Sequence, residues 1–178
     1  MKKIVTVVSA LVLGITAMAQ TDQGTWMFGA GSNLGFTSGK ENSDQEDAAS
    51  QLSLDVRAGY FVIDNLAIGL DLGYSSVSVG GVAGADLGVG PYLRYYLMES
   101  KLFGELGYKI GSSSYDGNKL GSTGALGIGV GYAAWLNDNV TIEPMIKYSA
   151  LSTKPDGGDS YSGSAFGVMV NFGIYLGN

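Results

Sequence analysis

Nine charged residues hold most of the chemical potential of this chain: Asp55, Arg57, Asp71, Asp86, Arg94, Glu105, Lys109, Glu143 and Lys147. Each falls in a segment where apolar and polar residues alternate, and each sits on the polar parity of its segment. Five acids among four bases on one shared face make an ion-paired network. Buried charges persist when they are paired and hydrogen-bonded, and Arg57 and Arg94 can each bridge several carboxylates through five donors. Asp55, Asp71, Asp86, Glu105 and Glu143 are the expected partners, with Lys109 and Lys147 completing the balance. Catalysis is a poor use of the same set. The chain has no histidine, so the usual general base is absent. A carboxylate pair works as acid and base only in divergent environments, and shared pairing gives none. Gly127-x-Gly129-x-Gly131 has nucleotide-loop spacing but sits mid-strand with no helix after it. No catalytic residue, cofactor or metal site is expected.

The elements that position these charges have the strand period of two beyond residue 24. Eight segments follow: 24–37, 51–62, 66–77, 85–97, 101–112, 123–136, 140–150 and 164–176. In the second, Leu52, Leu54, Val56, Ala58 and Tyr60 alternate with Gln51, Ser53, Asp55, Arg57 and Gly59. Ten such residues, tilted near 40°, rise about 25 Å, the height of the apolar band on a membrane barrel. The polar parity is rich in glycine (Gly29, Gly31, Gly59, Gly69, Gly73, Gly88, Gly90, Gly107, Gly127, Gly129 and Gly131). A soluble up-and-down barrel of lipocalin type would present Lys, Glu and Thr to water. A narrow eight-stranded lumen needs small residues instead. The Gly/Ala face is therefore inside and the Leu/Val/Ile face meets lipid. Closure is required, because only helices and closed barrels satisfy every backbone group in lipid.

Tyr60, Tyr74, Tyr95, Tyr108, Tyr132 and Tyr148 share the apolar parity near the ends of strands two to seven. With Trp26 and Phe36 they form two aromatic belts at the lipid–water boundaries. Ile63-Asp64-Asn65, Met98-Glu99-Ser100 and Asn137-Asp138-Asn139 read as tight turns. The other connections, at 38–50, 78–84, 113–122 and 151–163, read as longer polar loops, which places the tight-turn side in the periplasm.

The first 19 residues belong to export. Lys2 and Lys3 precede an uncharged, mostly apolar run from Ile4 to Met18, and Ala17-Met18-Ala19 supplies a small-x-small cleavage site. That run is short for a membrane helix, which needs about 20 apolar residues. Removing 19 residues from 178 leaves 159 (residues 20–178), one domain, and loss of the two lysines takes the charge from −6 to −8. This acidity argues against nucleic acid. There is no cysteine, so disulfides contribute nothing.

Gly59-Tyr60-Phe61-Val62-Ile63-Asp64-Asn65-Leu66-Ala67-Ile68-Gly69, Pro91-Tyr92-Leu93-Arg94-Tyr95-Tyr96 and the apolar last strand resemble the small outer-membrane β-barrel domain (porin-family) proteins of OmpA/OmpX-like architecture. The resemblance spans residues 20–178. It implies an all-β, eight-stranded antiparallel up-and-down transmembrane β-barrel in a Gram-negative outer membrane. It also implies that the last strand acts as an assembly signal. Asn171, Gly173 and Leu176 match that signal, while the chain ends Gly177-Asn178 without the family's terminal aromatic.

The expected partners are outer-membrane lipid and lipopolysaccharide, the assembly machinery during biogenesis, and an unnamed extracellular ligand; the protein is expected to be a monomer. The acidic stretch Lys40 to Asp47 and the clusters Asp116-Gly117-Asn118 and Lys154 to Asp159 are oxygen-rich but lack EF-hand spacing. Two functions stay open: a structural or interaction barrel with a plugged lumen, and a narrow solute or ion channel.

Overall fold

Alternation with β-branched and aromatic residues on one parity favours strands. The computed structural model describes residues 21–31, 35–39, 49–97 and 101–177, without the side chains of 35–39 and 49. The expected leader, the acidic stretch Lys40 to Asp47, the expected turn at Met98-Glu99-Ser100 and the side chain of Phe36 lie outside this description. The strands are β1 (Trp26–Gly31), β2 (Gly35–Gly39), β3 (Ala49–Ile63), β4 (Leu66–Val79), β5 (Val82–Tyr96), β6 (Leu102–Tyr115), β7 (Asn118–Tyr132), β8 (Ala134–Trp135), β9 (Val140–Pro155) and β10 (Tyr161–Leu176).

Every pairing is antiparallel and joins sequence neighbours, except that β7 pairs past the short β8 with β9 and that β1 pairs with both β10 and β3. That double pairing closes the sheet. β1 and β2 are two stretches of one barrel strand, both laid against β3. β7 and β8 are likewise one strand against β9. The result is a closed, eight-stranded, up-and-down barrel, as lipid requires.

The strands run further than the apolar alternation indicates, and this corrects three expected long connections. β4 and β5 meet in a tight hairpin at Gly80 and Gly81, with φ of 59° and 80° and Val79 paired to Val82. β6 and β7 meet at Asp116 and Gly117, with φ of 49° and 75°. Two positive φ values in a two-residue loop are the hairpin geometry that matches strand twist. The third connection shrinks to residues 156–160 between β9 and β10. The cause is chemical. Toward this end the outward residues change from Leu, Val and Ile to Ser, Gly and Ala, so the hydropathy signal stops while the backbone ladder continues. The contrast of short turns at one end with long loops at the other does not hold for these three connections.

Outward positions are apolar through the middle of the wall, where Leu70 and Ile128 are each 60% exposed. Trp26, Tyr60, Tyr95 and Tyr132 point outward near the end bearing the Asp64-Asn65 turn, with Trp26 and Tyr60 rings 5.0 Å apart. Tyr74, Tyr108 and Tyr148 lie toward the opposite end, inside their strands and not at the tips, because those strands continue past them. Inside, Met27, Phe61, Ala67, Tyr92, Tyr96, Phe103, Ala133, Met145 and Tyr175 form one buried cluster. It fills the half of the lumen nearer the Asp64-Asn65 turn.

Candidate functional site

The site begins with two cross-strand pairs. Arg94 on β5 stands opposite Glu105 on β6, and Arg57 on β3 stands opposite Asp71 on β4. Both pairs point inward because strand side chains alternate. Across the narrow lumen the pairs join. Glu105 Oε2 accepts from Arg94 Nη2 at 2.8 Å, Arg94 Nε at 3.1 Å and Arg57 Nη1 at 2.7 Å. Arg57 Nε lies 3.0 Å from Asp71 Oδ1, without hydrogen-bond alignment, while Nη2 donates to Oδ2 at 3.4 Å. Arg94 Nη1 donates to Glu143 Oε2 on β9 at 2.7 Å. Lys147, four residues further along the same strand, reaches Glu105 Oε1 at 3.4 Å. Three acids and three bases thus balance in one group.

Below it, toward the Asp64-Asn65 end, lies a second layer. Glu143 Oε1 accepts from Tyr175 Oη at 2.6 Å and from Thr141 Oγ1 at 2.8 Å. The Tyr175 and Tyr96 hydroxyls share a hydrogen bond, and Arg94 Nη1 also donates to Tyr96 Oη at 3.1 Å. The Arg94 guanidinium stacks 4.1 Å from the centre of the Phe103 ring, a cation–π contact in a desolvated site. Rings of Phe61, Tyr96, Phe103, Tyr175 and Trp135 then succeed one another at centroid spacings of 4.6–6.2 Å. The inward glycines make room for them. Gly131 is the register partner of Phe103, and a Cβ there would collide with the ring. Gly59 and Gly69 lie against Tyr92 in the same way. Pairing small with large residues is how a narrow barrel fills its interior.

Six of the nine charges singled out in the sequence meet in this group: Arg57, Asp71, Arg94, Glu105, Glu143 and Lys147. Lys109 and Asp55 face each other at 3.8 Å, both about one-third exposed, above it. They line a cavity of about 200 Å³ whose floor includes Arg57, Asp71 and Lys147. Asp86 does not join. It is exposed, accepts a hydrogen bond from Ser113 Oγ at 2.5 Å, and lies eight residues along β5 from Arg94, about 26 Å at strand rise. Tyr96, Tyr175 and Thr141 belong to the site and were not singled out. Their signal was parity: Tyr96 follows Arg94 by two positions, Thr141 precedes Glu143 by two, and Tyr175 continues the line of Asn171 and Gly173. Among the described residues, no cluster of three metal-ligating side chains occurs.

The model of the family described as outer membrane protein beta-barrel domain matches residues 7–173. The chain belongs to that family. Membership agrees with the closed eight-stranded barrel and its lipid-facing wall, and it places this outer-membrane barrel protein in a Gram-negative outer membrane. Among solved structures, the barrel is similar to Neisserial surface protein A. The TM-score is 0.50 at 16% identity, over 84% of this chain and 94% of that one. It is also similar to the outer membrane protein OprG of Pseudomonas aeruginosa, with a TM-score of 0.49 at 15% identity, over 88% of this chain and 98% of that one. No curated protein sequence matches the chain.

Proposed function

We propose that this barrel is a sealed, monomeric outer-membrane protein whose role is structural or is exercised at its external surface. The observation that carries this reading is Arg94. Its side chain is fully buried, bonded to Glu105 and Glu143, and packed against Phe103. A conducting path would have to open this group and the aromatic layer beneath it. The group has no net charge to draw an ion in, and each arginine removed from a partner leaves a buried carboxylate uncompensated. Catalysis is no part of this reading, since the chain has no histidine and arginine engages both Glu105 and Glu143. The end bearing the Asp64-Asn65 turn is assigned to the periplasm, so the cavity beside Asp55 and Lys109 opens to the outside.

Planar-bilayer recording tests the reading. The unmodified protein should be nearly silent, and Arg94→Ala should raise any conductance. A steady, sizeable conductance in the unmodified protein that Arg94→Ala leaves unchanged would sink it. That result would promote the narrow-channel reading, which draws on one observation: the partly exposed Asp55 and Lys109 beside a cavity of about 200 Å³.

A further inference from the structure

The lumen cavity beside Asp55 and Lys109 has two unlike ends. At one, Gly31 on β1 stands opposite Asn171 on β10. Asp55 Oδ2 and Asn171 Oδ1 lie 3.4 Å and 3.5 Å from the point that a Cβ on Gly31 would occupy. Asp55 Oδ1 faces Lys109, and Asn171 Nδ2 faces the Met145 sulfur, so the two remaining oxygens flank one recess. At the other end Lys147 lies across Gly127 on β7. Its Nζ and Ser149 Oγ are each 3.5 Å from the point of a Gly127 Cβ. Lys147 uses one of its three donors on Glu105. Among the described residues, no side-chain hydrogen bond occupies Asp55, Asn171 Oδ1 or Ser149 Oγ. Gly31 and Gly127 stand three strand spacings apart through β10 and β9, a path of about 14 Å along the wall. Between them β10 turns Met169 into the cavity.

We propose that this cavity binds a small zwitterion whose primary ammonium and carboxylate are separated by a short methylene chain, an ω-amino acid. The ammonium sits over Gly31, where Asp55 Oδ2 and Asn171 Oδ1 both accept. The carboxylate meets Lys147 Nζ and Ser149 Oγ, which both donate. Charge on either partner strengthens such bonds. The methylene chain crosses Met169, the apolar surface between the two ends. A cavity of about 200 Å³ suits a ligand of this size, with a few placed polar groups to orient it. A simple anion here would face Asp55 and Asp71, and a simple cation would face Lys109 and Lys147. An α-amino acid carries both poles on one carbon and does not reach both ends. In the orientation assigned above the cavity opens to the outside, so the ligand arrives from the medium.

Methyl NMR of the full chain, folded in detergent micelles and isotope-labelled at the methionine methyls, tests the site. Met169 lines the cavity and Met27 lies in the buried cluster below it, so the two methyls serve as reporter and control. Titration with δ-aminovalerate should move the Met169 signal to saturation in the millimolar range and leave Met27 in place. Valerate, which lacks the ammonium, and glycine, whose poles share one carbon, should each bind at least tenfold more weakly. Asp55→Asn, and Gly31→Val, which fills the recess, should each weaken δ-aminovalerate at least tenfold. Asp86→Asn, outside the cavity, should change nothing. Heat-dependent gel mobility checks that each variant is a folded barrel, and Asp55→Asn decides the matter if Gly31→Val does not fold. The absence of a saturable Met169 shift overturns the proposal. So does equal binding of valerate or glycine, or an unchanged affinity in the folded Asp55→Asn barrel. Binding is read without a membrane, so its failure is distinct from a failure of the sealed-lumen reading, which bilayer recording tests.

Discussion

Glu105 is the residue on which the lumen network converges. One of its oxygens accepts from two arginines and the other faces Lys147. Its removal would leave two buried guanidiniums short of a partner, whereas removal of Arg94 would take the cationic partner from Glu143 and leave Glu105 with Arg57 and Lys147. Breaking a buried pair by taking one partner costs about 3–5 kcal/mol. Arg94→Ala should therefore lower unfolding stability by about that much, read from urea transitions of the barrel in detergent micelles by tryptophan fluorescence. A loss under about 1 kcal/mol would mean that water already enters the site. Arg94→Lys should recover only part of the loss, because an ammonium cannot repeat the forked contact to Glu105 and Glu143. The phenol pair Tyr96 and Tyr175 extends this dependence to the aromatic layer. Tyr175→Phe removes the donor to Glu143 Oε1 while keeping the ring, so its cost should be smaller, about 1–3 kcal/mol.

At the scale of the strand, the decisive fit is between a large side chain and a glycine on its neighbour. Gly131 and Gly104 make a matched test. A Cβ at Gly131 would collide with the Phe103 ring, while nothing lies within 4 Å of a Cβ at Gly104. Gly131→Val should destabilise by about 1–3 kcal/mol through overpacking, and Gly104→Ala should be tolerated or slightly stabilising. Equal effects in the same urea assay would refute this account of the filled lumen. The same strands show what the sequence could and could not reveal. Inward and outward parity was legible from Leu52 to Tyr60 and from Phe166 to Leu176, because lipid imposes a hydropathy difference between faces. Strand length was not. Beyond Tyr74, Tyr108 and Tyr148, Ser76, Ser112 and Ser152 occupy the outward parity, and serine does not separate a strand from a loop. The Gly80-Gly81 and Asp116-Gly117 pairs were the available signals for tight hairpins. Both pairs lie inside longer polar stretches, which hides the turn. The network was partly legible, since shared parity grouped its charges. Height along the barrel was not, so Asp86 was included although it stands about eight residues away from Arg94.

For the whole molecule, the extended strands restrict what can be reached from outside. Protease added to intact cells should cut within residues 156–160 of the last hairpin and spare 151–155 and 161–163, which are held in β9 and β10. Cleavage at Asp64 or Asp138 in sealed cells would reverse the assigned orientation. N-terminal sequencing of the protein from the membrane fraction should begin at Gln20 if Ala17-Met18-Ala19 is the cleavage site of an export leader, as its small-x-small pattern predicts. Retention of Met1 in that fraction would remove this assignment. The lipid face offers a further check on depth: Leu70→Arg, on the outward parity of mid-β4, should cost about 2–4 kcal/mol.

The half-filled interior has a kinetic consequence. β3 to β7, β9 and β10 each pass from a stretch packed on its inner side, near Phe61, Tyr96, Phe103 and Tyr175, to a stretch whose inner side borders the open cavity beside Asp55 and Lys109. Local opening follows buried contacts, so amide protons should not exchange with deuterium strand by strand. A single boundary should cross all the strands near Arg57 and Lys147, with slow amides below it and faster ones above. One hairpin exchanging uniformly from tip to tip would show that the ladder, not the filling of the lumen, governs how this barrel breathes.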